Sequence, residues 1–264
     1  MTAGSAQHLQ GLIGHTGFVG SNLDAPDRFT HRYNSTNIGD LAHRRFGRIV
    51  CAGVSAAKWV ANRDPEADWR NIEGLIDVLG TVTASRFVLI STIDVYPNPS
   101  CPWDETASLD ALDNHAYGRH RLALENWARA HFPACTIVRL PALFGPGLKK
   151  NALYDLLHAN MVESINRKAR FQWYPLKRLW DDLARVEAAG IPLINLFTEP
   201  VGMDRIIDRL FPEAPVGEGS DPAPDYRLRT RYASLFGGAD GYMLDAASVM
   251  LDMAAYVENE RAGP

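Results

Sequence analysis

Short apolar runs alternate with helical stripes through the first half of the chain. Residues 9–13 read as a buried strand that enters a glycine-rich segment, Gly14 to Gly20, with a helix starting near Gly17. Asp24-Ala25-Pro26-Asp27 ends that helix early, because proline lacks an amide proton and crowds the preceding turn. Further strands are expected over residues 28–34, 48–54, 86–90 and 135–140. Between them Trp69, Ile72, Leu75, Ile76 and Leu79 recur at helical spacing in a helix over 68–79, and another helix over 117–128 stops before Pro133. Strand, helix and strand in alternation predict an α/β fold with a doubly wound parallel sheet.

The pattern loosens after the proline- and glycine-rich stretch 141–147. Helices are expected over 151–165 and 177–189, an aromatic loop over 171–175, and a last strand near 191–197 that returns to the sheet. A loop rich in Pro, Gly and Asp over 212–224 precedes a terminal pair of helical segments. The simplest organisation is a first domain over 1–147 and a small capping lobe over 148–264.

Composition narrows the classes of function. A chain of 264 residues that is 46% hydrophobic and 22% charged folds as an ordinary soluble globule. A formal net charge of −4 gives no reason to invoke nucleic acid or an anionic membrane. The N-terminal MTAGSAQ lacks the basic start and apolar core of a signal peptide, and no apolar run approaches the roughly 20 residues of a membrane span. Cys51, Cys101 and Cys135 are odd in number and far apart, which points to a reduced, cytoplasmic setting. The histidines show no metal-ligand spacing, so no metal is expected. The expected partner is a small-molecule substrate, with a homodimer as an allowed assembly.

The chemistry begins at the glycines. At a strand-to-helix junction Gly14, Gly17 and Gly20 permit a tight turn, let a phosphate approach the backbone, and let the helix pack close to its strand. The helix start aims free N–H groups and a positive dipole end at a pyrophosphate. Gly14, Thr16, Gly17, Phe18, Val19 and Gly20 then form a dinucleotide cradle and the fold is Rossmann-like; the bland alternative is a glycine-rich turn with no ligand. An acid that selects NAD often stands about 20 residues on. This chain offers Asn34 and Ser35 there, which do not repel a 2′-phosphate, and Arg32, Arg44 and Arg45 lie near. The expected cofactor is NAD or NADP, with NADP slightly favoured. Ala52, Gly53 and Val54 end a strand where a cofactor can cross, and Asn71 is either a cofactor ligand or simply exposed.

Tyr117 and Arg121 are four apart on one helix face, where a fixed cation lowers the pKa of a phenol. Thr92, at a strand tip, can hydrogen-bond a substrate hydroxyl or carbonyl. Thr92, Tyr117 and Arg121 are therefore the catalytic candidates, for proton transfer beside a nicotinamide that carries hydride. Lys58, Asp94, Lys149, Asn151, Trp173 and Arg229 are candidates for binding an anionic substrate; solvated surface or core is the competing reading for each. His120 is a candidate proton relay.

Taken in order, GHTGFVG at 14–20, the small residues at 51–54, Asn71, STIDVY at 91–96, YGRHR at 117–121 and RLPALFGPG at 139–147 resemble the extended short-chain dehydrogenase/reductases, the NAD-dependent epimerase/dehydratase group. The resemblance implies a pyrophosphate on Gly14, Gly17 and Gly20, Thr92 and Tyr117 in the catalytic set, and oxidation, reduction, epimerisation or dehydration at a carbinol carbon of a polar, anionic, sugar-like molecule. Three departures stand out. Arg121 replaces the family's lysine, with a planar fork in place of a point charge. Ala142 sits where nucleotide-sugar enzymes of the family often have asparagine. The ribose-binding acid is missing. The alternative from another class is a non-catalytic dinucleotide-binding sensor or scaffold.

Overall fold

The computed structural model describes residues 9–219 and 221–263; the MTAGSAQ segment read above for a leader lies outside them. In chain order come β1 (Gln10–Ile13), α1 (Phe18–Leu23), β2 (His31–Tyr33), β3 (Arg45–Cys51), α2 (Lys58–Arg63), α3 (Pro65–Leu79), β4 (Thr83–Thr92), α4 (Ala116–His131) and β5 (Cys135–Leu140). There follow β6 (Ala142–Phe144), α5 (Ala152–His158), β7 (Arg170–Phe171), β8 (Trp173–Pro175), α6 (Leu179–Ala188), β9 (Leu193–Asn195), β10 (Val201–Gly202), α7 (Met203–Leu210) and α8 (Ala246–Ala262).

Six strands form a parallel sheet in the order β2-β1-β3-β4-β5-β9, the doubly wound, Rossmann-like architecture expected. The register sets where chemistry can occur. Ile13 stands level with Tyr33 and Cys51, and Cys51 with Leu89. Three strands thus end together, while β4 runs on to Thr92, about 10 Å further at the usual rise. The strand expected near 191–197 does join this sheet, beside β5.

The chain forms two compact units. Among the described residues, the first comprises the chain up to Pro97, Ser108–Arg139 and Val186–Ile194; the second comprises Asn98–Ala107, Leu140–Arg185 and the chain from Asn195 onward. Ile13, Ile49, Leu79, Phe87, Leu124 and Phe132 belong to the apolar core of the first, where the Phe87 and Phe132 rings stack with centroids 4.0 Å apart. The second contains two small sheets, β6 with β8 and β7 with β10, around buried Trp173 and Tyr174. There the Tyr174 hydroxyl donates to Asp182 Oδ2 at 2.8 Å.

Several boundaries differ from expectation. The strand expected over 28–34 shrinks to β2, because residues 25–28 close a turn through Arg28 N–H to Ala25 O. The strand expected over 48–54 is shifted: β3 starts at Arg45, opposite Thr83, and Ala52, Gly53 and Val54 lie beyond its end. The helix expected from Asp68 starts at Pro65, since Asp64 Oδ1 accepts from Ala67 N–H at 3.0 Å and proline suits the first turn. α2 was not expected at all. The helix over 151–165 stops at His158, where Ala159 and Met161 take left-handed backbone (φ 50° and 48°). The aromatic loop over 171–175 is instead β7 and β8.

Candidate active site

The glycine turn, the ends of β2 and β3, and the surroundings of Tyr117 all belong to the first unit. Gly14 leaves β1 with φ +83°, and a Cβ there would collide with the Ala52 carbonyl and lie 2.6 Å from Gly53 Cα. A Cβ on Gly20 would strike the Gly14 carbonyl, so α1 packs on its strand through a bare backbone. Gly17 differs: its Cβ would meet only Gly14 O, at 3.3 Å, and the residue is exposed. The first intrahelical bond of α1 runs from Ser21 N–H to Gly17 O at 2.8 Å, so the N–H groups of Phe18 and Val19 precede it. Thr16 is exposed beside them. A backbone without Cβ atoms, open at Gly17 and adjoining Ala52 and Gly53, fits a pyrophosphate-bearing cofactor.

At the end of β2 the Asn34 side chain closes its own turn: Oδ1 accepts from Thr36 N–H (2.9 Å) and Oγ1 (2.7 Å). Ser35 is exposed. Arg32 is held by Asp24 through Nε at 2.7 and 2.9 Å and donates to the Phe29 and Ala25 carbonyls. Arg44 donates to the Tyr33 hydroxyl at 3.1 Å, and Arg45 begins β3, at the opposite end from Ala52. Asn71 is exposed on α3 and lines a cavity of about 310 Å³ with Ser55, Ala57, Asp64 and Asp68.

Tyr117 enters at the start of α4. His115 caps that helix, its Nδ1 accepting from Gly118 N–H at 3.0 Å, and the Tyr117 N–H donates to Asn62 Oδ1 at 2.9 Å. Tyr117 is 6% exposed, and its phenol lies close enough to the Thr92 side chain for the two to interact. Thr92 Oγ1 accepts from Asp94 N–H at 3.1 Å. Asp94 Oδ1 lies 2.5 Å from Lys58 Nζ and 3.9 Å from His115 Nε2. Asp94 thus stands near the phenol, paired with Lys58.

Arg121 shares the Tyr117 face, as the spacing requires, but not as a free cation. Its Nη1 and Nη2 bind Asp68 Oδ2 and Oδ1 at 2.5 and 2.9 Å, and Nη2 also donates to Ser55 O at 2.7 Å. Its guanidinium carbon sits 3.8 Å from the Tyr117 ring centroid, against the ring face. His120 Nδ1 adds a third contact to Asp68 at 2.7 Å. Burial opposes ionisation of Asp68, and the bonds from Arg121 and His120 overcome it, leaving the carboxyl below its ordinary value.

The expectation of an acidified phenol is corrected here. Burial raises the Tyr117 pKa above its ordinary value; Arg121 opposes this, and Asp94 and Asp68 reinforce it. His115 is pushed down, by burial first and by Lys58 second. Sequence reasoning missed Asp68, His115 and Asn62. Asp68 opened the helical stripe and carried no other local signal.

The remaining candidates belong to the second unit. Asn151 caps α5: Oδ1 accepts from Leu153 and Tyr154 N–H, both at 3.0 Å, and Nδ2 donates to Leu143 O at 2.9 Å. Lys149 is exposed nearby in sequence. Trp173 is 1% exposed in β8, a core residue. Arg229 is exposed, its guanidinium 5.9 Å from the Tyr242 ring centroid. Among the described residues no three His, Cys, Asp or Glu side chains gather as a metal site, and no helix is long and apolar enough to cross a membrane.

Residues 36–184, more than half of the chain, match the family model described as the NAD dependent epimerase/dehydratase family. No curated protein matches at the level of sequence. Among solved structures, the chain is similar to an NAD-dependent NDP-hexosamine 5,6-dehydratase of tunicamycin biosynthesis, TunA (16% identity, 97% of this chain and 99% of that one, TM-score 0.73). It is similar to a UDP-N-acetylglucosamine 4-epimerase from Methanobrevibacter ruminantium (11%, 97% and 99%, TM-score 0.75). It is also similar to a dTDP-4-dehydrorhamnose reductase from Clostridium acetobutylicum (15%, 95% and 99%, TM-score 0.71). At these identities the structural likeness speaks for the fold.

Proposed function

Because the chain belongs to the NAD dependent epimerase/dehydratase family, and so is an NAD(P)-dependent enzyme of the extended short-chain dehydrogenase/reductase type, we propose that it acts at a carbinol carbon of a nucleotide-activated sugar. The observation that carries this reading is the buried Tyr117 phenol beside the Thr92 side chain at the end of β4, in the same unit as the glycine cradle. The substrate class is supported by the structural relatives, whose names are those of nucleotide-sugar enzymes. The alanine at position 142 removes one amide from the family pattern and leaves the anionic character of the ligand to other donors. A non-catalytic sensor does not stand beside the family membership.

Gly14, Gly17, Gly20 and the N–H groups of Phe18 and Val19 would hold the pyrophosphate, with Ala52, Gly53 and Val54 alongside. When bound, NAD(P) supplies hydride transfer. Thr92 orients the substrate oxygen and Tyr117 holds or gives its proton there. A phenol is protonated at neutral pH, and burial reinforces that form of Tyr117, so it has a proton to give. Lys58 and Asp94, paired beside Thr92, would contact the substrate's polar groups. NADP preference loses Arg32, Arg44 and Arg45 as support; what stands in its favour is the loop at Asn34 and Ser35, which has no carboxylate.

Tyr117→Phe tests the reading. It should lower kcat by roughly 10²- to 10⁴-fold on a nucleotide-sugar substrate, with cofactor affinity intact. Unchanged turnover would remove Tyr117 from the mechanism.

A further inference from the structure

Arg121 stands where the family's lysine supplies a cation, yet its guanidinium is already engaged. Both terminal nitrogens bind the Asp68 carboxylate, one of them also binds Ser55 O, and the plane rests against the Tyr117 ring at 3.8 Å. Arg121 is 4% exposed and Asp68 8%, so water does little to screen them. Arg121 Nε is buried with no partner, so the fork is held by Asp68, by Ser55 O and, through a long 3.4 Å bond from Nη1, by Tyr117 O.

We propose that Asp68 is a positioning residue for this site: its carboxylate clamps the Arg121 guanidinium flat against the Tyr117 ring and offsets part of its charge, so that Arg121 supports the phenol as a rigid platform rather than acting as a free cation. This deepens the function proposed above and rests on it for its relevance to turnover. The clamp spans two elements, Asp68 on α3 and Arg121 on α4, and it ties both to the loop at Ser55. His120 reaches the same carboxylate from the next position on α4 and braces it.

The groups around the phenol come from every neighbouring element. β4 and the turn after it bring Thr92 and Asp94, α2 brings Lys58 as the partner of Asp94, and α3 brings Asp68. α4 brings Arg121 and, at its cap, His115, whose ring centroid is 6.3 Å from that of Tyr117. Asp68 and Asp94 both oppose ionisation of the phenol and Arg121 favours it. The position of Arg121 against the ring therefore decides how much of that favourable charge the phenol feels.

Ionisation of Tyr117 can be read without cofactor or substrate, as near-ultraviolet phenolate absorbance, each titration taken as the difference from the same protein carrying Tyr117→Phe. Asp68→Asn keeps an accepting oxygen for Arg121 and removes the counter-charge. The Tyr117 step should move to lower pH, with a severalfold rise in phenolate at any fixed pH below the wild-type midpoint. Asp68→Glu keeps the charge and pushes the guanidinium off the ring, so the step should move to higher pH. A Tyr117 step at the wild-type pH in both variants, or in whichever of them folds, would overturn the proposal. Failure of the wild type to bind NAD(P) would sink the proposed function and leave these shifts untouched.

Discussion

Helix α4 contributes to two buried arginine–carboxylate pairs, and they are built differently. Glu125, fully buried, faces Arg139, which binds it through Nε and Nη2 and donates from Nη1 to the Tyr96 hydroxyl at 2.9 Å. Glu125 also accepts from Ser91 Oγ at 2.5 Å. Every guanidinium nitrogen there has a partner. Both guanidinium groups lie over a tyrosine ring, Arg139 at 5.0 Å from the Tyr96 centroid and Arg121 closer at 3.8 Å from that of Tyr117, but the Asp68–Arg121 pair leaves Nε without a partner and has its carboxylate on the wall of a cavity. A satisfied buried network rigidifies its surroundings; an incomplete one is costly and persists where the site gains from it. The first pair steadies the strand end next to Thr92, and the second borders the proposed site.

The largest effect that can break this comparison is on stability. Glu125→Ala strands a buried arginine and should destabilise the fold by about 3–5 kcal/mol in chemical denaturation. Asp68→Asn keeps a hydrogen-bond acceptor and should cost less; equal losses would erase the distinction between the two pairs. Next in size is a change at the cofactor end. Asn34→Asp places a carboxylate at the end of β2 and should shift the ratio of NAD to NADP affinity toward NAD about tenfold, or ~1.4 kcal/mol, by titration of both. A ratio unmoved would show that this loop does not meet the ribose.

The smallest effect is in acid. Asp68 has a folded pKa below its unfolded one, so the unfolded chain binds the proton first. The stability it contributes is complete above the ordinary carboxyl range near about 4 and is lost as pH falls through the folded value. The stability gap between wild type and Asp68→Asn should therefore narrow as pH is lowered below that range. A gap that stays constant would mean the carboxylate is not stabilised by its partners.

What the sequence made legible was what local rules decide. The glycine turn, the strand ending in Thr92 and the Tyr117 helix each follow from spacing, backbone freedom or a proline within a few residues. The Asp68 clamp was not legible, because its partners lie 53 residues apart and meet only through tertiary packing. α2 was hidden because its Trp59 and Val60 are exposed, so it shows no apolar stripe. The stop after His158 depends on two left-handed residues, Ala159 and Met161, neither of them a glycine that would have marked it. β7 and β8 are two and three residues long, too short to show alternation.

The central claim is that the glycine turn holds a dinucleotide beside Tyr117. Fluorescence titration of NADH and NADPH into the wild type and into Gly17→Asp tests it most directly, since Gly17 is the exposed glycine of the turn and a carboxylate there repels a pyrophosphate. Saturable binding of at least one cofactor by the wild type, lost in the folded variant, is the expected result. No binding of either at millimolar concentration, or binding that Gly17→Asp leaves unchanged, would contradict the account.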